Sequence, residues 1–178
     1  MLGLLRRWRH ERAGHMLYTA AVRAAREPLF YVSLGVPDTL DGRFDLVGLH
    51  VFMLIDRLRR EPAPGPAVAQ AVFDAMFADM DNNLREMGVG DMTVGRKNKE
   101  MWEALHGRSQ AYEAALAAAE PGALAESLER NVWRGEAPPG AAATLASRML
   151  AERAALAEVP LAAFVDGTAT FGAVREAA

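Results

Sequence analysis

The chain has 178 residues, a formal net charge of −3, and 51% hydrophobic and 24% charged residues, which suits one folded domain with a sizeable core and excludes a disordered chain. It holds no cysteine, so disulfides, thiolate metal sites and a cysteine nucleophile are excluded. The acidic balance argues against general nucleic-acid binding, although residues 1–27 carry six Arg against two acids.

Helical spacing runs through the chain and no alternating strand pattern competes with it. The first residues form a basic, amphipathic segment over 1–14, with Leu2, Leu5 and Trp8 near one side and Arg6, Arg7 and Arg9 elsewhere. Two readings stand: it lies on an anionic membrane surface, or Trp8 docks on the protein's own core. The spacing predicts a first helix over Glu11–Glu27, with Leu17, Tyr18, Ala21, Val22 and Ala25 facing inward and Pro28 ending or bending it. A turn-rich stretch, Gly35–Gly42, precedes a second helix from about Arg43 to Arg60, which holds the most apolar run, Leu46–Ile55. Ten residues are too few to cross a bilayer, so the run reads as a buried core helix.

Three prolines in Pro62–Pro66 stop that helix. In the third, Val68, Val72, Met76, Met80 and Leu84 recur every four residues, widened by Phe73, Phe77 and Met87, with Asp74, Asp79 and Asp81 off the stripe. Gly88-Val89-Gly90 breaks it, and Asp91 or Thr93 is placed to cap the next helix. That helix carries Met101, Trp102 and Leu105, pauses at Gly107 and restarts at Ser109 toward Ala119. Pro121 suits the first turn of a helix through Leu124, Leu128 and Val132. Beyond the Pro138–Gly140 linker follow an Ala-rich helix and a short apolar segment near Leu161 and Phe164. The expectation is an all-α, single-domain bundle of about six to eight helices.

Most chemical motifs fail on inspection. Glu103-x-x-His106 has the spacing of a di-iron ligand pair, but it occurs once. Asp79, Asp81 and Asn83 match the first positions of a calcium loop, yet Leu84 stands where glycine is needed and Gly90 where glutamate is needed. Gly90-x4-Gly95 has the glycine spacing of a phosphate loop but continues with Arg96-Lys97 after a helix. No G-x-S-x-G signature is present. The reading is therefore no enzyme, no metal and no cofactor. His50 is open to two readings: a core histidine satisfied by a neighbour, or a client-, haem- or proton-linked group. Nine methionines, six of them in the central helices, fit either core filling or an adaptable apolar surface.

Several ordered motifs carry a resemblance. Arg26–Tyr31, Leu34–Asp38, Asp41–Asp45, Leu49-His50, Phe73-Asp74, Asp79–Asp91 and Tyr112–Leu116 together resemble the ubiquinol–cytochrome c chaperone family over residues 15–135, with 136–178 as Ala-rich C-terminal helices and tail. The resemblance implies an α-helical assembly factor for ubiquinol–cytochrome c reductase that escorts newly made cytochrome b, together with a small assembly partner. With no long presequence ahead of the core, the chain looks like a bacterial member at the cytoplasmic face of the inner membrane, or on the matrix side if organellar. On this reading Tyr31, Pro37, Asp38, Gly42, Arg43, His50, Asp74, Met76, Met80, Asp81, Asn82, Leu84, Arg85, Gly88, Gly90 and Asp91 are candidate client- or partner-binding residues. The methionines would hold the client and the polar residues would form a rim. The alternative is a small-molecule- or metal-binding bundle using His50, Asp74 and Asp81. A third reading is a subunit that stays in the finished complex.

Overall fold

A computed structural model describes residues 2–118, 120 and 122–172, with side chains from residue 6 onward. The expectations placed on Pro121 and on the side chains of Leu2 and Leu5 lie outside the described residues. Among those described, the chain forms α1 (Leu2–Ala25), α2 (Pro28–Val32), α3 (Leu40–Arg59), α4 (Gly65–Glu86), α5 (Asp91–Ala118), α6 (Ala123–Val132), α7 (Ala141–Glu158) and α8 (Leu161–Val165), and no strand. Two of these, α2 and α8, are five-residue turns of helix.

The boundaries follow local chemistry. Thr39 caps α3: its hydroxyl oxygen accepts from the Gly42 amide at 3.2 Å, satisfying one of the donors a helix start leaves free. Pro28 opens α2, at a position where its missing N–H costs nothing. Gly88, in the left-handed region at φ +79°, ends the turn after α4. Two expectations need correction. The first helix starts at Leu2, nine residues before Glu11, because Arg and Leu are good helix formers and nothing there breaks the ladder. The fifth helix runs unbroken through Gly107. One glycine costs about 1 kcal/mol, too little to interrupt a helix anchored on both sides by Leu105 and Tyr112.

The core is one cluster in which α3 is the central element. Twelve of its twenty residues are buried, including Leu46, Leu49, Val51, Phe52, Met53, Leu54 and Leu58. The helices α1 and α4 pack against each other and against α3, and α7 closes the far side through Leu145, Met149 and Leu156. Gly14 permits the closest approach of α1 to α4, since a Cβ there would stand 2.4 Å from the Ala71 carbonyl carbon. From α3, Arg57 reaches across the bundle. Its guanidinium donates to the last carbonyls of α7, Leu156 at 3.0 Å and Val159 at 3.2 Å, where positive charge favours a helix C-terminus. It also lies over the Phe164 ring of α8, 5.5 Å from the centroid. The segment after 135 is thus packed into the same core.

Candidate partner-binding surfaces

The candidate residues fall into four places. The first is the stretch from α2 into α3. Tyr31 is half-buried and its hydroxyl donates to the Ala25 carbonyl at 2.9 Å; burial raises its pKa. Pro37 and Asp38 are exposed. Arg43 Nε donates to Asp38 Oδ1 at 2.6 Å, and that bond holds the Asp38 carboxyl below its usual range. Gly42 is the fixed point: a Cβ there would meet the Pro37 carbonyl oxygen at 2.0 Å, so only glycine lets the turn close onto α3. Trp133, which sequence reasoning did not single out, anchors this turn from behind. Its buried indole N–H donates to the Leu34 carbonyl at 3.1 Å.

The second place joins α4 to α5. Arg85 Nε donates to Asp81 Oδ2 at 2.6 Å, and the same guanidinium reaches Asp91 at the start of α5. Asn98 donates to the other Asp81 oxygen at 2.8 Å. The hydrogen bond from Arg85 lowers the Asp81 pKa. Further up α4, the Tyr18 hydroxyl of α1 donates to Asp79 at 2.7 Å, and burial with this bond raises the phenol pKa. Asn82, Gly90 and Asp91 are exposed, whereas Asp74 accepts from Gln70 at 2.8 Å on the outer face. No hydrogen bond or ion pair among the described residues joins this set to the Tyr31–Arg43 set.

The third place is the interior. Met76, Met80 and Leu84 are buried, as is Met53, so the regular stripe of α4 fills the core, and in this packing it does not line an open groove. The physical reason is that α4 lies between α1 and α3, and its period-four face is the one both neighbours cover. Among the described residues the exposed methionines are Met16, Met87 and Met92, the last 95% exposed, and Met101 is half-buried. His50 is also buried. Its Nδ1 bonds the Leu46 carbonyl at 2.8 Å, and its ring stands edge-on to Phe30 and Phe171. Burial, reinforced by the Arg148 charge, lowers its pKa to about 4, so it is neutral at physiological pH. A cavity of about 40 Å³ adjoins it, bordered by Glu27, Arg148 and Glu152. His50 faces the core while Asp74 and Asp81 sit on the outside of α4, so these three do not converge.

The fourth place is the start of α1. Arg6, Arg7 and Arg9 are exposed and Trp8 is 70% exposed, so Trp8 does not dock on the protein's own core. Arg7 pairs with Glu11 at 2.8 Å and Arg9 with Asp166 at 2.7 Å. Among the described side chains of this helix, the first buried one is Ala13.

Sequence reasoning missed the buried polar junction between α3, α5 and the turn that follows α6. The Asp45 carboxylate is fully buried, with Arg134 Nη1 donating to Oδ2 at 2.7 Å and Arg108 Nη2 lying 2.9 Å from Oδ1. Burial raises the Asp45 pKa while both guanidiniums pull it back. The one signal was an acid, Asp45, beside an apolar run, with no partner in its own helix. Between α3, α4 and α5 lies a further cavity of about 120 Å³, lined by Val51, Phe52, Ile55, Phe73, Trp102 and Leu105. Trp102, partly exposed, stacks on His106 at its mouth. Among the described residues no group of three His, Asp or Glu could hold a metal ion, and no helix is long and apolar enough to cross a membrane.

The described residues thus form an all-α domain whose polar clusters are mostly tied to its own helices, with an exposed basic stretch at the start of α1. The chain belongs to the ubiquinol–cytochrome C chaperone family, whose profile matches residues 32–171. The match runs through α7 and α8. The chain is 25% identical over 126 residues to ubiquinol-cytochrome-c reductase complex assembly factor 1 of Xenopus laevis, covering 71% of this chain and 62% of that protein. The Homo sapiens protein of the same name is 24% identical over 127 residues, 71% of this chain and 42% of its own length. The chain therefore matches only about four to six tenths of these relatives' length. A crystal structure of the Cbp3 homolog from Brucella abortus superposes with a TM-score of 0.82 at 35% identity, covering 96% of each chain.

Proposed function

We propose that this chain is an assembly chaperone that binds newly made cytochrome b at the surface of a bacterial inner membrane, before the other subunits of ubiquinol–cytochrome c reductase join. The single observation that carries the reading is the family match over residues 32–171. The exposed tip of α1 supports the placement at a membrane: Trp8 with Arg6 and Arg7 suits an anionic headgroup surface. A small assembly partner would be met by the outward polar groups, Asp38 and Arg43 on one side and Asn82, Arg85 and Asp91 on the other. The client-facing candidates narrow to what reaches the surface: Met87, Met92 and the mouth around Trp102. No catalytic step or cofactor enters this reading.

The test is a pull-down of the tagged chain from its own membranes under gentle detergent, probed for cytochrome b. Recovery of cytochrome b without the remaining reductase subunits is the expected result. Stoichiometric recovery of the mature complex would replace the chaperone by a resident subunit. Absence of cytochrome b even after crosslinking would overturn the reading and leave a shared fold.

A further inference from the structure

We infer that α5 is a hinged element that undocks from the bundle as a unit while the α1–α3–α4 core stays folded. The observation behind this is a convergence at one interface. Among the described residues, three buried side-chain polar atoms have no partner, Asn98 Oδ1, Arg108 Nη1 and Tyr112 Oη, and a fourth, Asp45 Oδ1, has only the Arg108 guanidinium 2.9 Å away. Three of them belong to α5 and the fourth, on α3, faces it across the Arg108 ion pair. The space between Asp45, Arg108 and Tyr112 leaves no room for a water molecule, so in the docked state Arg108 Nη1 and Tyr112 Oη go unsolvated, at a cost that offsets part of what the Arg108–Asp45 pair contributes to docking.

The apolar contribution opposing that cost is small. Of the 28 residues of α5 only Val94, Leu105 and Tyr112 are buried, whereas 12 of 20 are buried in α3. The 120 Å³ cavity lies along the same seam, so contact there is incomplete. Ahead of the helix stand Gly88 and Gly90, with no atom within 4 Å of where a Cβ would stand, and such residues absorb backbone rotation at low cost. The tie at that end, Asp81–Arg85–Asp91, is exposed and of the kind that adds little. Undocking is a property of the chain alone and is measured without any partner.

Native-state hydrogen–deuterium exchange of the full chain tests it. Once undocked the helix is marginal on its own, so the expected result is that amides across Val94–Tyr112 exchange together, at least tenfold faster than the buried turns of α1 and α4, with a denaturant dependence clearly below that of global unfolding. Tyr112→Phe removes the unpartnered hydroxyl and keeps the ring against Phe52, 5.6 Å away. It should slow exchange in α5 threefold or more and leave α1 and α4 unchanged. Arg85→Gln, which keeps every buried contact, should speed α5 by twofold at most and leave α1 unchanged. Protection in α5 equal to that of α4 would overturn the inference. So would Tyr112→Phe that leaves α5 unchanged or faster, or slows every helix equally, or Arg85→Gln that speeds all helices together.

Discussion

His50 sits in the middle of the most apolar run and is neutral there, because burial disfavours the imidazolium and no carboxylate bonds it. Its ordinary pKa of 6.5 falls to about 4 on folding. Between those values the unfolded chain binds the proton and the native chain does not, so stability rises with pH through that window. The contribution is complete above pH 6.5 and is lost as pH falls through about 4, amounting to about 3 kcal/mol. Urea unfolding from pH 7 to 4 should show the decline, and His50→Phe should flatten it. Asp45 works in the opposite sense, because its raised pKa favours proton uptake by the native chain at acid pH, so part of the slope in the wild type is offset. The acceptor of the His50 bond lies one helical turn away, although the sequence left His50 open to two readings; the bond from Arg134 to Asp45 spans 89 residues and has no local signature.

At the level of elements, the contrast between α1–α4 and α5 is the informative one. Gly14 is pressed against the Ala71 backbone, so Gly14→Ala forces the two helices apart and should destabilise by about 2 kcal/mol. Gly95, exposed in α5 with open space around it, is a glycine that only weakens its helix. Gly95→Ala should stabilise by about 0.5 kcal/mol. Denaturant midpoints at unchanged slope separate the two outcomes. Equal effects would mean that the α1–α4 crossing is less tight than its geometry indicates. The periodic apolar stripe of α4 was legible at sequence level, and so were the breaks at Pro28, Pro62–Pro66 and Gly88–Gly90. The full length of α1 and the unbroken course of α5 were not, since both depend on propensity set against packing.

Across the whole molecule, charge is segregated. The chain is acidic overall, yet its first 27 residues carry a net +4, and Arg6, Arg7 and Trp8 are exposed. Each arginine near an anionic bilayer adds about 1 kcal/mol. The double substitution Arg6→Gln with Arg7→Gln should therefore weaken binding to phosphatidylglycerol-rich vesicles roughly 30-fold. Salt should weaken it further, and vesicles of phosphatidylcholine alone should bind little of either protein. Equal sedimentation of both proteins with anionic vesicles would remove the α1 tip as the membrane contact.

The sequence by itself determined the class of fold, most helix boundaries, the apolar faces of α1, α3 and α4 and the family, because these rest on periodicity, on breakers and on motifs a few residues long. Only the tertiary structure decided which faces are covered. Met76 and Met80 look alike as core and as groove in the sequence, and what settles them is that α1 and α3 both pack on that side of α4. The Asp45 junction, the Trp133 anchor and the thin docking of α5 likewise exist only between distant segments, where burial turns a charge or a missing hydrogen bond from a surface detail into an energetic constraint.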